Sequence, residues 1–128
     1  MKKKILIVLL LIVSSLTFSQ VITRNADAFR VKEENDTQYK LYQDIDVDII
    51  FDCITHQITI YSKVTQNFDI LGTEREWEQD GFHVTMYQCL DFYKLKCKIQ
   101  VWNHPTKRDV VRVIYKDMIY EYQLQDPK

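Results

Sequence analysis

Residues 44–52 read DIDVDIIFD, with Asp44, Asp46 and Asp48 on alternate positions and Asp52 four further on. In an extended chain the side chains at i, i+2 and i+4 share one face. Ile45, Val47, Ile49, Phe51 and Cys53 then take one face, and the aspartates, interrupted only by Ile50, take the other. The next stretch, HQITIYSK (56–63), sets Ile58 and Ile60 against Thr59, Tyr61 and Lys63. Matching apolar to apolar pairs Phe51 with Ile58 and Ile49 with Ile60. It also opposes Asp48 to Tyr61 and Asp46 to Lys63, with CITH (53–56) as the turn. A one-residue slip would turn every side chain over, so the buried face sets this register. The aspartates are expected to be the solvent face of a β-hairpin.

The same two-residue period recurs along the chain, and no stretch shows a sustained helical one. Residues 67–78 read as a strand whose apolar parity shifts at Gly72, which suggests a bulge. Asp80-Gly81 is a strong hairpin signal and sets Trp77 opposite Val84 and Arg75 opposite Met86. Residues 82–90 alternate Phe82, Val84, Met86, Gln88 and Leu90, taken as the inner face, against His83, Thr85, Tyr87 and Cys89. A turn at Phe92-Tyr93 follows, and then Leu95, Cys97, Ile99 and Val101 share a face. The stretch VVRVIYKDMIYEYQL (110–124) reads as a hairpin turning at Lys116-Asp117, with Arg112 opposite Glu121 on the wet face. Its inner face would hold Val111, Val113, Tyr115, Met118, Tyr120, Tyr122 and Leu124. With a strand around Phe29 and Val31, and a short one at Tyr39–Tyr42, the expectation is an all-β antiparallel meander. Its seven or eight strands would form a small barrel or a strongly curved sheet, with KEENDTQ (32–38) as a linker-like stretch.

The opening MKKKILIVLLLIVSSLTFSQ combines a basic start, a nine-residue apolar run and small residues at 17 and 19. This is the pattern of a secretory signal peptide over residues 1–19, too short to span a bilayer. Residues 20–128 then form a single β domain of fourteen basic and eighteen acidic residues, a net charge of −4. The expected location is secreted or periplasmic, without membrane insertion after cleavage. A mildly acidic chain with mixed charges offers no basic stripe for nucleic acid.

The blocks ITIYSKVTQNFDI, CLDFYKLKCKI and VIYKDMIYEYQL, behind a leader ending in FSQ, resemble a group of small exported bacterial β-proteins of uncharacterised function. The likeness covers roughly residues 45–124 as a pattern of strands and turns and implies no activity. That group often carries a glycine in the turn where this chain has Asp91-Phe92-Tyr93-Lys94.

Several chemistries are poorly supplied. Counted from Asp44, an EF-hand loop would want glycine where Ile49 stands and glutamate where Thr55 stands. Neighbouring carboxylates near 7 Å repel by roughly 0.6 kcal/mol in water-like dielectric, so no cation is demanded; a site assembled across strands is the alternative. Ser62 is the one serine after residue 19 and lacks a nucleophile elbow. Cys53-x-x-His56 lacks two ligands of a structural zinc site, and Cys53 and Cys97 read as small core residues. No local feature marks Cys53, Cys89 or Cys97 as an activated thiol paired with His56, His83 or His104. Walker and Rossmann glycine loops are absent, so no catalytic residue, metal or cofactor is assigned.

A two-residue turn at Phe92-Tyr93 would set Leu90 opposite Leu95, Met86 opposite Ile99 and Val84 opposite Val101. Cys97 would then point inward and Cys89 outward, so no disulfide is expected. Binding remains. Tyr115, Tyr120 and Tyr122, with Thr73, Arg75 and Gln88 turned inward by the same register, are the candidate ligand-contacting residues. The reading is a non-catalytic exported binding protein for a small molecule or an envelope component. An interaction or structural subunit using an exposed sheet face or edge is the alternative, and a small hydrolase the third.

Overall fold

The computed structural model describes residues 21–125, so the signal-peptide expectation for residues 1–19 lies outside the described residues. Eight strands follow in order: β1 (Val21–Glu33), β2 (Gln43–Asp52), β3 (Gln57–Tyr61), β4 (Thr65–Gln79), β5 (Phe82–Leu90), β6 (Lys96–Asn103), β7 (Val110–Ile114) and β8 (Met118–Leu124). Each pairs antiparallel with the next, and β8 returns to β1, closing a barrel. Residues 39–42, expected to be a short strand, are part of the β1–β2 connection.

The opening hairpin has the expected register, Phe51 opposite Ile58, Ile49 opposite Ile60 and Asp48 opposite Tyr61. Ile49, Ile58 and Ile60 are fully buried, and Asp44, Asp46 and Asp48 are exposed. The β2–β3 ladder ends at Asp48–Tyr61, so Asp46 does not meet Lys63. Asp46 and Asp48 instead both accept from Asn25 Nδ2 of β1, at 2.7 and 2.9 Å. Asp52 holds the turn, accepting from the Ile54 and Thr55 amides at 2.9 and 3.0 Å. That turn carries Cys53 at the surface rather than in the core.

Gly72 does mark a bulge, and a second register shift follows between Thr73 and Arg75. Trp77 faces Val84 and Arg75 faces Met86 as expected. Asp80 and Gly81 at the tip both have positive φ, 52° and 83°, the geometry of a primed hairpin turn.

The β5–β6 hairpin differs from the expectation. Cys89 lies opposite Cys97, Met86 opposite Gln100 and Leu90 opposite Lys96. The loop has three residues, with Lys94 at φ 65°, the arrangement of a turn followed by a left-handed residue. Lys94 occupies the place a glycine would fill most easily, so no composition signal marked the loop. The core contains Cys89, Cys97, Ile99, Val111, Val113, Tyr122 and Leu124, with Tyr87 packed against it. β5 therefore turns Tyr87 and Cys89 inward and Val84 and Met86 outward, the reverse of the expected faces. Val84 is nonetheless fully buried, because it is flanked on the outer face by Trp77 and Trp102.

A second outer feature replaces the expected wet face of β7 and β8. Arg112 opposes Glu121, but Glu121 is only 1% exposed. Its two oxygens accept from Arg112 Nε at 2.7 Å, Arg30 Nε at 2.5 Å and the Tyr42 hydroxyl at 2.6 Å. Tyr39 and Tyr42 sandwich the Arg30 guanidinium at 4.2 and 4.4 Å, and Arg112 stacks on Trp102 at 4.5 Å. The 34–42 connection thus folds back over the barrel wall, helped by the Lys40 amide donating to Val31 at 2.8 Å.

The outer wall and the β4–β5 hairpin can each be tested by substitution. Burial raises the Glu121 carboxyl, but the bonds from Arg30, Tyr42 and Arg112 outweigh it and hold it below the usual glutamate range. A lowered folded pKa adds stability that is fully present above the unfolded value of about 4.3 and is lost as pH falls through the folded one. Glu121→Gln is expected to cost about 3 kcal/mol at pH 7. Urea titrations should show the gap from the native chain narrowing below about pH 4. Gly81→Ala is expected to cost about 2 kcal/mol, since φ is 83° and the new Cβ would meet His104 Nε2 at 2.9 Å. His104 cannot readily withdraw, because its Nδ1 accepts from the Thr106 and Lys107 amides. Gly72→Ala, with nothing within 4 Å, should leave the melting temperature within a few degrees.

Candidate functional site

The connections 34–42, 62–64, 91–95 and 115–117 gather at one end of the barrel. There the interior opens as a cavity of about 800 Å³, within the range of small-molecule sites. Aromatic side chains make its wall. Phe29 of β1 lies 5.0 Å from Tyr122 and 6.0 Å from Tyr120, and Tyr115 meets Tyr120 edge-on at 6.2 Å. Ile45, Val47, Leu95 and Met118 add aliphatic surface, and Tyr93 stands at the rim.

The polar groups of the mouth are largely satisfied. Asp91, 8% exposed, accepts from the Tyr93 and Leu95 amides at 2.9 Å each and from the Tyr115 hydroxyl at 3.0 Å. Burial and the bond to Asp91 push the Tyr115 phenol well above its ordinary pKa, and burial pushes Tyr122 up to about 12. Both hydroxyls therefore stay protonated across the physiological range and present donors or acceptors, not charge. A carboxylate whose oxygens are already taken by three donors, beside aromatic walls, suits a neutral or weakly polar guest with apolar bulk.

Of the six residues expected to contact a ligand, Tyr115, Tyr120 and Tyr122 line this mouth together. Thr73, Arg75 and Gln88 do not. They are exposed on β4 and β5, where Arg75 stacks on Trp77 at 4.3 Å and Gln88 donates to Glu74 at 2.9 Å. For Arg75 and Gln88 the expectation failed because β5 turns its other face inward. Thr73 lies opposite the inward Tyr87 but is exposed, on the part of β4 beyond its ladder with β3. Phe29, Tyr93, Asp91 and Gln66 were not anticipated. Asp91 did have a signal, since an aspartate opening a short turn is well suited to hold the following amides.

Other candidate chemistries are not assembled. Among the described residues no three or more His, Cys, Asp or Glu side chains group as they would around a metal ion. Ser62 sits at the cavity rim, where its hydroxyl donates to the Val64 carbonyl at 2.7 Å; no histidine lines the cavity. At the opposite end, buried Asp109 accepts from Arg24 at 3.0 Å and from the His104 amide at 3.0 Å. Comparison with models of known families, with characterised proteins and with solved structures finds no match. The functional reading therefore rests on geometry.

The Tyr115–Asp91 bond is expected to hold the shape of the rim. Tyr115→Phe removes the donor to Asp91 Oδ2 and should cost about 1–2 kcal/mol, read as a lower midpoint in chemical denaturation with an unchanged slope.

Proposed function

We propose that this chain is an exported, non-catalytic binding protein that takes a small, largely apolar ligand into the aromatic mouth of its barrel. The observation that carries this reading is the cavity of about 800 Å³ walled by Phe29, Tyr115, Tyr120 and Tyr122. Apolar surface left open at the end of a barrel is available free energy for association, roughly 25 cal/mol for each Å² covered. The tyrosine hydroxyls and Asp91 supply orientation. The absence of a histidine around Ser62 in the cavity wall and the raised pKa values of Cys89 and Cys97 favour binding over hydrolysis.

Export is the part of this reading supported by the leader pattern, as is kinship with small exported bacterial β-proteins by the strand blocks. An apolar interior with Asp44, Asp46, Asp48, Lys96 and Lys98 exposed on strands is the reverse of a transmembrane barrel, whose outward band is apolar. That ordering favours a protein bathed in water after export. Among the described residues no helix is long and apolar enough to cross a membrane.

One observation favours the alternative, a subunit that docks through a sheet edge. β3 pairs with β4 only as far as Asp69, so among the described residues no strand pairs with 71–79 on that side. Two bulges and Glu74, Arg75, Glu76 and Glu78 interrupt this edge, features that oppose strand addition.

A neutral naphthylamine probe and a long-chain fatty alcohol distinguish the readings. The native barrel is expected to enhance the probe's fluorescence, and the fatty alcohol to displace it. Tyr120→Asp should weaken the probe at least tenfold while keeping the far-ultraviolet spectrum. Failure of both compounds to bind a folded chain would overturn the pocket reading.

A further inference from the structure

β5 and β6 set Cys89 and Cys97 directly opposite one another, and both are free thiols in this structure. They are 1% and 6% exposed and belong to one core cluster with Phe68, Ile99 and Tyr122. Their side chains therefore leave the sheet on the same, inner face. The Asp91 amide donates to the Leu95 carbonyl at 3.0 Å, which makes 91 and 95 a hydrogen-bonded pair. Two residues along each strand, 89 and 97 repeat that relation, with Cα atoms about 5.5 Å apart. Disulfides span about 4.4–6.8 Å between Cα atoms. Directly opposed Cβ atoms lie about 4.5–5.5 Å apart against about 3.5–4.5 Å in a bridge, so closure draws the strands together by about 1 Å.

We propose that Cys89 and Cys97 close a cross-strand disulfide when the chain folds in the presence of a disulfide oxidant, leaving Cys53 as the free thiol. The thiolate of one cysteine attacks the oxidant disulfide, forming a mixed disulfide and releasing one oxidant thiolate. The second cysteine thiolate then attacks the chain's sulfur in that mixed disulfide and releases the other oxidant thiolate. One S–S bond forms in the chain and one breaks in the oxidant. Two electrons reduce the oxidant to two thiols, and the two cysteine protons end on them.

Timing follows from burial. Desolvation raises Cys89 to about 12 and Cys97 to about 11, so the closed barrel holds almost no thiolate and admits little oxidant. The bridge belongs to the folding chain, before β1 meets β8. The same burial protects it once formed. Cys53, exposed in the β2–β3 turn, stays reachable throughout.

The test refolds the reduced full chain from urea in a mixture of reduced and oxidised glutathione. It then alkylates under denaturing, non-reducing conditions and measures intact mass. The expected product carries one alkyl group or one glutathione, on Cys53, with a peptide linking 89 to 97. The chain folded first under reducing conditions and then given the same oxidant should form the link at least tenfold more slowly. Three modified cysteines after oxidative refolding, or a bridge that includes Cys53, would overturn the proposal. A Cys53→Ser chain removes that competing partner. Refolded in the same way, it should be lighter than its reduced form by two hydrogens, and an unchanged mass again overturns the proposal.

Discussion

Strand β1 must hydrogen-bond to two neighbours at once, β2 beside it in sequence and β8 at the far end of the chain. The barrel exists only because both ladders can be satisfied together. They are satisfied through one irregularity, a register shift between Ala26 and Ala28 that both ladders share. Against β2 it is β2 that carries the extra residue, between Asp44 and Val47. Against β8 the extra residue is Asp27, which pairs with the Arg108 guanidinium. Beyond it the alternation is offset, so Ala26 and Phe29 both reach the core side and Arg30 points outward to Glu121. A regular strand would have sent Phe29 to the outside and Arg30 into the apolar interior, at a prohibitive desolvation cost. The aromatic mouth and the outer ion network thus depend on the same bulge.

The network in turn decides what the barrel wall can be. A glutamate 1% exposed is tolerable only with its oxygens filled, and here two guanidinium groups and a phenol fill them. Tyr39 and Tyr42 shield the cations by stacking. This arrangement fixes the β1–β2 connection against the wall and leads into β2 at Gln43, a residue of the mouth. Structure on the outside therefore sets one rim of the cavity inside.

β5 shows why two-sided apolar strands are hard to orient. Its even positions carry Phe82, Val84 and Met86, and its odd positions carry Tyr87 and Cys89. Either face could be buried by composition alone. In the barrel the odd face joins the core. The even face is covered by Trp77 and Trp102, with Phe82 edge-on to Trp102 at 5.7 Å. This second apolar layer outside the barrel is made of residues distant in sequence, and it removes the mismatch that a solvent-facing Val84 would otherwise represent.

Local alternation and turn chemistry determined much of this protein from the sequence by itself. The all-β class, the register of β2 with β3, the Asp80-Gly81 hairpin, the bulge at Gly72 and the Arg112–Glu121 pairing all involve residues within about 20 positions, where a period of two and a short turn leave one economical solution. The inward tyrosines of the last hairpin were legible for the same reason. Only the tertiary structure decided the β1 bulge, the closure onto β8, the inward face of β5 and the burial of Glu121. Each depends on a partner far along the chain, or on a turn such as Asp91–Leu95 in which Lys94 takes a left-handed conformation that its residue type does not announce. Hence three of the proposed contact residues, Tyr115, Tyr120 and Tyr122, met at the mouth, while the inward face of β5, which no local pattern specified, carried Arg75 and Gln88 to the surface, and Thr73, opposite Tyr87, stayed exposed where β4 runs past β3.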